Sequence, residues 1–403
     1  VNLASFSGDV YSLTSPESVG NSFFADWDKA LDYICQKAKD ERIILAIDEY
    51  PYLAGNYRTI SSILQAQIDA KLKDSKLFLI LCGSSMSFME NQVLGYKSPL
   101  YGRRTAQFKI ESFDFFDSLP FLDGFEKTDK AVLYGVTGGI PEYLTKINAK
   151  QTVRENIINL FLTPQGHFYE EPTNLIKQEL REPAVYNGII EAIAKGASRL
   201  NEIATHCGME SNKCSKYLAS LISLGIVKKE KPVTETVGKR SIYLLADQMF
   251  RFWYRFVFPS MSTIVGGLGA GVYDNEVAPR LNAFMGLVFE QMCRQYVLKL
   301  ARADELPFFF GRIGRWWGGN PKLKRQEEID LLAYRDDTAL FGECKWTNAP
   351  VDVETLRGLD AKSRLFRYQT NYYYLFAKSG FTDSLIAEAA KRGDVSLVCF
   401  ADM

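Results

Sequence analysis

The chain has 403 residues, 47% of them hydrophobic and 24% charged, with a formal net charge of zero. It therefore exceeds what one core usually organises, and it carries no global positive field to announce nucleic acid or an anionic membrane. Seven scattered cysteines without a CxxC pair, only two histidines and no bilayer-length apolar run argue against a disulfide scaffold, histidine-based metal or triad chemistry and a membrane span, and favour a cytoplasmic, reduced protein.

Residues 1–120 alternate helix and apolar strand, the pattern of a parallel α/β sheet. "WDKALDYICQKAKD" has helical spacing at Leu31, Ile34, Cys35 and Ala38, and "RIILAIDEY" follows as a strand. "TISSILQAQIDAKL" is again helical and "KLFLILCGSS" is a second strand, so two buried strands around a helix make one βαβ crossover. The first strand ends in Asp48 and Glu49, at the edge where ligands of open α/β sheets sit. There an Asp can hold magnesium through water and the next Glu can polarise an attacking water; the bland alternative is two acids capping a strand. The second strand ends in Ser84 and Ser85, and two polar tips side by side define a crevice.

Residues 121–183 read as mostly helical, interrupted by "TGGIPEYL". Over 184–258 three helices precede two strands around a turn, the order of a winged helix-turn-helix. Its third helix, "NKCSKYLASLISLG", carries Lys213 and Lys216, and the wing offers Lys228, Lys229, Lys231, Lys239 and Arg240. Those cations suit DNA phosphates, although such a module can also serve only to join domains. "MFRFWYRFVFPS" reads as a buried helix sealing one domain against the next, and "STIVGGLGAGVY" as a linker to a last domain at 275–403.

In that domain "EIDLLAY" and "ALFGECKW" read as antiparallel strands around a two-residue turn at Asp336 and Asp337. The turn sets Asp330 opposite Glu343, and alternation adds Lys345 to the same face. Opposed carboxylates repel unless a cation lies between them, so a divalent metal is the expected occupant. The alternative is an ordinary Glu343–Lys345 ion pair on a wet edge. Upstream, "GRIGRWWGGNPKLKRQ" places Arg312, Arg315, Lys322, Lys324 and Arg325 around Trp316 and Trp317. This reads either as a nucleic-acid approach path or as tryptophans packed on the sheet beneath solvated lysines.

"IILAIDEYPYL", "LILCGSSMSFM", "PLYGRRT" and "GGIPEYL", in this order, resemble the Walker B, sensor, arginine and lid segments of the archaeal-type AAA/STAND ATPases. The resemblance makes Asp48 the magnesium-linked acid and Glu49 the catalytic base. It makes Ser84 or Ser85 the sensor and Arg103 or Arg104 a phosphate contact, with Gly139 and Pro141 shaping the lid. Asp330, Glu343 and Lys345 resemble the PD-(D/E)XK restriction-endonuclease-like superfamily, Ile329 standing where the motif's name has Pro, and Glu290 matches the acid its preceding helix supplies. In succession with "FRFWYRFVFP" and "GRIGRWWGG" these segments resemble the carboxy-terminal domain fused to such ATPases. No GxxxxGKS or GxxxxGKT loop occurs, and Val1 opens in what reads as mid-domain. The expectation is a chain cut upstream, with negligible ATP affinity that upstream sequence restores.

The fold class expected is α/β: an incomplete parallel-sheet P-loop NTPase core, a helical lid, a winged helix and a restriction-endonuclease-like domain. The function expected is an ATP- and magnesium-dependent switch on DNA, with magnesium-dependent cleavage by Asp330, Glu343 and Lys345 open. The rival is a non-cleaving nucleotide-gated scaffold or transcriptional regulator. DNA is the expected partner, a homo-oligomer is left open and no membrane is expected.

Overall fold

A computed structural model describes residues 3–16, 20, 23–84, 88–238 and 240–403, so Ser85 and Lys239 lie outside the described residues. The chain forms two compact units, Val1–Ile110 and Glu111–Met403. Among the described residues no helix is long and apolar enough to cross a membrane.

The first unit runs α1 (Leu3–Thr14), α2 (Trp27–Lys37), β1 (Ile43–Ile47), α3 (Tyr50–Asn56), α4 (Ile60–Ala70) and β2 (Leu77–Leu81). Asp26 starts α2 by accepting a hydrogen bond from the Lys29 N–H, and Trp27, Ala30, Leu31, Ile34 and Cys35 recur at helical spacing along its buried face. β1 and β2 pair in parallel from Ile43↔Leu77 to Ile47↔Leu81. Their pattern corrects the expectation of strands buried on both faces. Leu45, Ile47 and Leu77 enter the core, whereas Ile44, Phe78 and Ile80 point outward at 63%, 47% and 38% exposure. Alternation of side chains along a strand places them there, since the core of this unit gathers on the other face.

In the second unit α5 (Lys127–Thr137), α6 (Pro141–Leu144), α7 (Val153–Phe161) and α8 (Glu171–Glu179) precede three helices, α9 (Pro183–Ala194), α10 (Leu200–His206) and α11 (Ser211–Ser223). An antiparallel pair follows, β3 (Val227–Glu230) with β4 (Ile242–Leu245), and then α12 (Gln248–Phe252). One hydrophobic core runs from Phe115 through these helices and the aromatic stretch to one face of the last sheet. Within it Trp253 is fully buried and donates its indole N–H to the Tyr169 carbonyl at 2.8 Å. The glycine-rich stretch expected as a linker instead contributes buried Ile264 and Val272 to this core. Gly139 lies where two backbones cross: its carbonyl accepts from the Phe113 N–H at 2.9 Å, and an added Cβ would stand 1.9 Å from the Phe113 carbonyl oxygen.

The long helix α13 (Leu281–Arg302) leads into β5 (Arg312–Asn320), β6 (Arg325–Arg335), β7 (Thr338–Lys345), α14 (Val353–Ser363), β8 (Thr370–Ala377), α15 (Asp383–Lys391) and β9 (Val395–Cys399). The strands lie side by side in chain order, antiparallel from β5 to β7 and parallel from β7 to β9. β6 and β7 pair from Arg335↔Thr338 to Leu331↔Gly342, the register that the Asp336–Asp337 turn dictates. Leu331, Ala333, Leu340 and Phe376 join the core containing α13. Leu332, Phe341 and Leu375 pack with Leu356 and Leu359 of α14 on the opposite face. Both faces are thus covered, which explains the near-continuous apolar runs.

Candidate functional site

At the carboxyl ends of β1 and β2 the structure brings Asp48, Glu49 and Ser84 together. The Ser84 hydroxyl donates to a Glu49 carboxylate oxygen at 3.2 Å, and the Glu49 N–H donates to Asp48 at 2.9 Å. The Tyr50 N–H reaches across to the Cys82 carbonyl at 2.9 Å, tying the two strand tips. Gly83 makes the approach feasible, because a Cβ there would stand 2.4 Å from Cδ of Pro51. Glu49 itself holds a left-handed backbone at φ 48°, a conformation that costs a non-glycine residue about 1–2 kcal/mol. Two adjacent acids at such strand tips fit a magnesium ion held by one or two carboxylates and water. Arg103 is engaged elsewhere in this unit: it forms a two-pronged pair with Asp69 of α4, at 2.6 and 2.9 Å. Arg104 is exposed. Gly139 and Pro141 belong to the second unit, at the end of α5 and the start of α6.

The second unit assembles the other acids. Between Gly314 and Trp316 of β5, β6 advances from Leu332 to Ile329, one residue more than its partner. This bulge holds Asp330 and re-aims it, a device bulged strands use beside active sites. The Asp330 carboxylate lies just past the end of the β6–β7 ladder, where it accepts the Cys344 N–H at 2.8 Å. Burial raises its pKa to about 6, and the charge of Glu343 adds to the rise. Glu343, 8% exposed, receives Lys345 at 2.7 Å and Lys362 of α14 at 2.9 Å. Burial pulls the Lys345 ammonium down, but Glu343 outweighs it and leaves the group above its ordinary value. Lys362 had no signal in the sequence: it lies 19 residues beyond Glu343, on a separate helix.

Glu290 of α13 completes the group. Its carboxyl rises to about 8, first through burial and then through the Asp330 charge, while Arg315 opposes the rise. Arg315 pairs with Glu290 at 3.1 Å, with Glu230 of β3 at 3.6 Å and with Glu328 of β6. The expected approach-path segment is therefore largely strand. Trp316 is buried in the sheet core, and Trp317 donates its indole N–H to the Arg240 carbonyl at 3.1 Å. Asp330 and Glu343 lie close enough for the Glu343 charge to raise the Asp330 carboxyl, while the two Glu343 oxygens are taken by Lys345 and Lys362. The described residues hold no cluster of three or more His, Cys, Asp or Glu arranged for a metal.

The β3–β4 hairpin is docked on this sheet. The Val233 N–H donates to the Arg315 carbonyl at 2.9 Å, and Arg240 donates to the Trp317 carbonyl at 3.1 Å. Of the cations expected on the module, Lys213 and Lys216 on α11 and Lys229 and Lys231 on the hairpin are exposed.

Residues 4–147 match the family described as "ATPase domain predominantly from Archaea", and residues 253–358 match "Archaea bacterial proteins of unknown function". The "Uncharacterized protein MJECL04" of Methanocaldococcus jannaschii is 33% identical over 392 residues, 94% of this chain and 82% of that protein. The chain belongs to the archaeal-type ATPase family. A second relative of this ATPase-family chain in the same organism, "Uncharacterized protein MJ0424", is 40% identical over 70 residues, 16% of this chain and 68% of that one. Among solved structures, protein VC1899 from Vibrio cholerae aligns over 93% of both chains at 12% identity and a TM-score of 0.26. Can2 from Sulfobacillus thermosulfidooxidans, solved with cyclic tetra-adenylate, aligns over 92% of both at 11% identity and a TM-score of 0.21. Scores this low carry no argument about the fold.

Proposed function

We propose that this ATPase-family chain is the working body of an ATP-binding, AAA/STAND-type switch that acts on DNA through a winged helix and a nuclease-like, magnesium-binding last domain. The observation that carries the reading is the meeting of Asp48, Glu49 and Ser84 at the carboxyl edge of a parallel strand pair. Asp48 would hold a magnesium ion, Glu49 would take a proton from the attacking water, and Ser84, which donates to the Glu49 carboxylate, would orient it. Bound ATP supplies the scissile phosphoanhydride. Glu49→Gln in the full-length protein should lower ATP turnover at least about 100-fold while ATP binding persists. Unchanged turnover would overturn the assignment.

In the last domain Asp330 and Glu343 are the acids for a divalent ion, which when bound polarises a phosphodiester and acidifies a water. Lys345 orients that water or balances charge building on the phosphate. DNA contact falls to Lys213 and Lys216 on the exposed face of α11, joined by the exposed Lys229 and Lys231 of the hairpin, which is itself docked on the sheet. That docking is also what favours the second reading, a non-cleaving scaffold or regulator whose three-helix module joins domains. Glu343→Ala and Lys345→Ala separate the two in the full-length protein with magnesium or manganese. Cleavage by the parent and at least about 100-fold less by both variants supports the first reading; DNA left intact by the parent supports the second.

A further inference from the structure

We infer that the cavity between the β3–β4 hairpin, α13 and strands β5 and β6 is a binding site for a phosphate monoester, carried on a nucleic-acid strand end or on a free nucleotide. The cavity encloses about 220 Å³ and is lined by four cations, Lys228, Arg251, Arg294 and Arg315, against Glu230, Glu290 and Asp330. Two of its anions, Glu230 and Glu290, face Arg315, Lys228 stands 4.0 Å from Glu230, and Asp330 accepts the Cys344 N–H. Arg251 and Arg294 have no carboxylate within ion-pair distance among the described residues. Arg251 is held instead by the Phe284 ring at 4.2 Å and the Phe284 carbonyl at 3.0 Å, and its Nε has no hydrogen-bond partner.

Arg251 and Arg294, partly dried and without an ion-paired carboxylate of their own, leave the cavity with four cations against three acids, an imbalance that an entering anion relieves. Their titration agrees: burial draws Arg251 down to about 10 against the pull of Glu290, and burial with the neighbouring arginines draws Lys228 down against the pull of Glu230. A phosphate monoester offers the charge and the three acceptor oxygens that guanidinium forks grip. Beside the cations sits Gln248, 8% exposed, whose Oε1 has no partner and whose amide donates to Gln291. That acceptor suits a sugar hydroxyl next to the phosphate. The volume is below the roughly 300–1,000 Å³ of larger ligand sites, so a phosphate and its sugar fit and a duplex does not.

The nucleic-acid source rests on reading Asp330 and Glu343 as the nuclease-like centre, because Asp330 borders the same cavity. The test runs on the full-length protein in EDTA, which removes metal chemistry. Fluorescence anisotropy compares a short 3′-labelled single strand bearing a 5′-phosphate with its 5′-hydroxyl twin, and AMP and inorganic phosphate serve as competitors. The phosphorylated strand should bind at least about tenfold tighter. Arg294→Gln, at a partly exposed position, should erase most of that preference with an unchanged melting temperature, and Lys228→Gln should weaken it. Glu343→Ala should leave it intact even where cleavage is lost, so failure of the nuclease reading and failure of this one are told apart. Competition by AMP at the strand's own concentration assigns a free nucleotide; competition only by phosphorylated strands assigns a strand end. Equal binding of the two strands with no competition by AMP or phosphate overturns the site, as does a preference that survives both substitutions.

Discussion

Replacing Asp247 by Asn should stabilise the second unit at neutral pH and leave it unchanged in acid. Asp247 caps α12, accepting the Phe250 N–H at 2.9 Å, yet burial raises its carboxyl from 3.8 to about 6 against the hydrogen bonds of Phe250 and Met249. A carboxyl whose folded pKa lies above its unfolded one favours the fold in its protonated form. That contribution is complete below pH 3.8 and is lost as pH rises through about 6. At about 1.4 kcal/mol per pH unit the interval is worth about 3 kcal/mol. Residual solvent contact trims this to about 1–3 kcal/mol. Asn caps a helix about as well as Asp and carries no charge to desolvate. Urea unfolding followed by tryptophan fluorescence, with Trp253 in the same core, should show equal stabilities near pH 3.5 and a gap of about 1–3 kcal/mol in favour of Asn at pH 7. An Asn variant less stable by the same margin at both pH values would refute the reasoning, since the charged cap would then outweigh its own desolvation.

Gly139→Ala should cost at least about 3 kcal/mol, because the new Cβ meets backbone that cannot swing aside; a melting temperature within a degree or two of the parent would show that the Phe113 crossing relaxes freely. If α11 faces DNA, Lys213→Ala with Lys216→Ala should weaken binding of every sequence alike and lower the magnitude of the salt slope by about 2, read from binding between 50 and 200 mM salt. An unchanged slope would remove α11 from the contact.

What the sequence by itself determined is whatever depends on neighbours along the chain. The runs "IILAI" and "LFLIL" became β1 and β2, "WDKALDYICQK" became α2, and a two-residue turn fixed the β6–β7 register down to Leu331 and Gly342. Periodicity and turn length are local quantities and can be read locally. Only the tertiary structure decided where the charges meet. The bulge at Asp330 shows only in the register of β6 against β5, a strand paired with it in space. Lys362 reaches Glu343 from a helix 19 residues on, and Arg315 gathers acids from β3, α13 and β6. The hairpin that read as a wing is held to β5 by the Val233 N–H on the Arg315 carbonyl and by the Arg240 side chain on the Trp317 carbonyl, and the glycines that read as a linker lie beside core positions Ile264 and Val272. Pairings across tens to hundreds of residues follow from packing one element on another, and no window of sequence contains both partners.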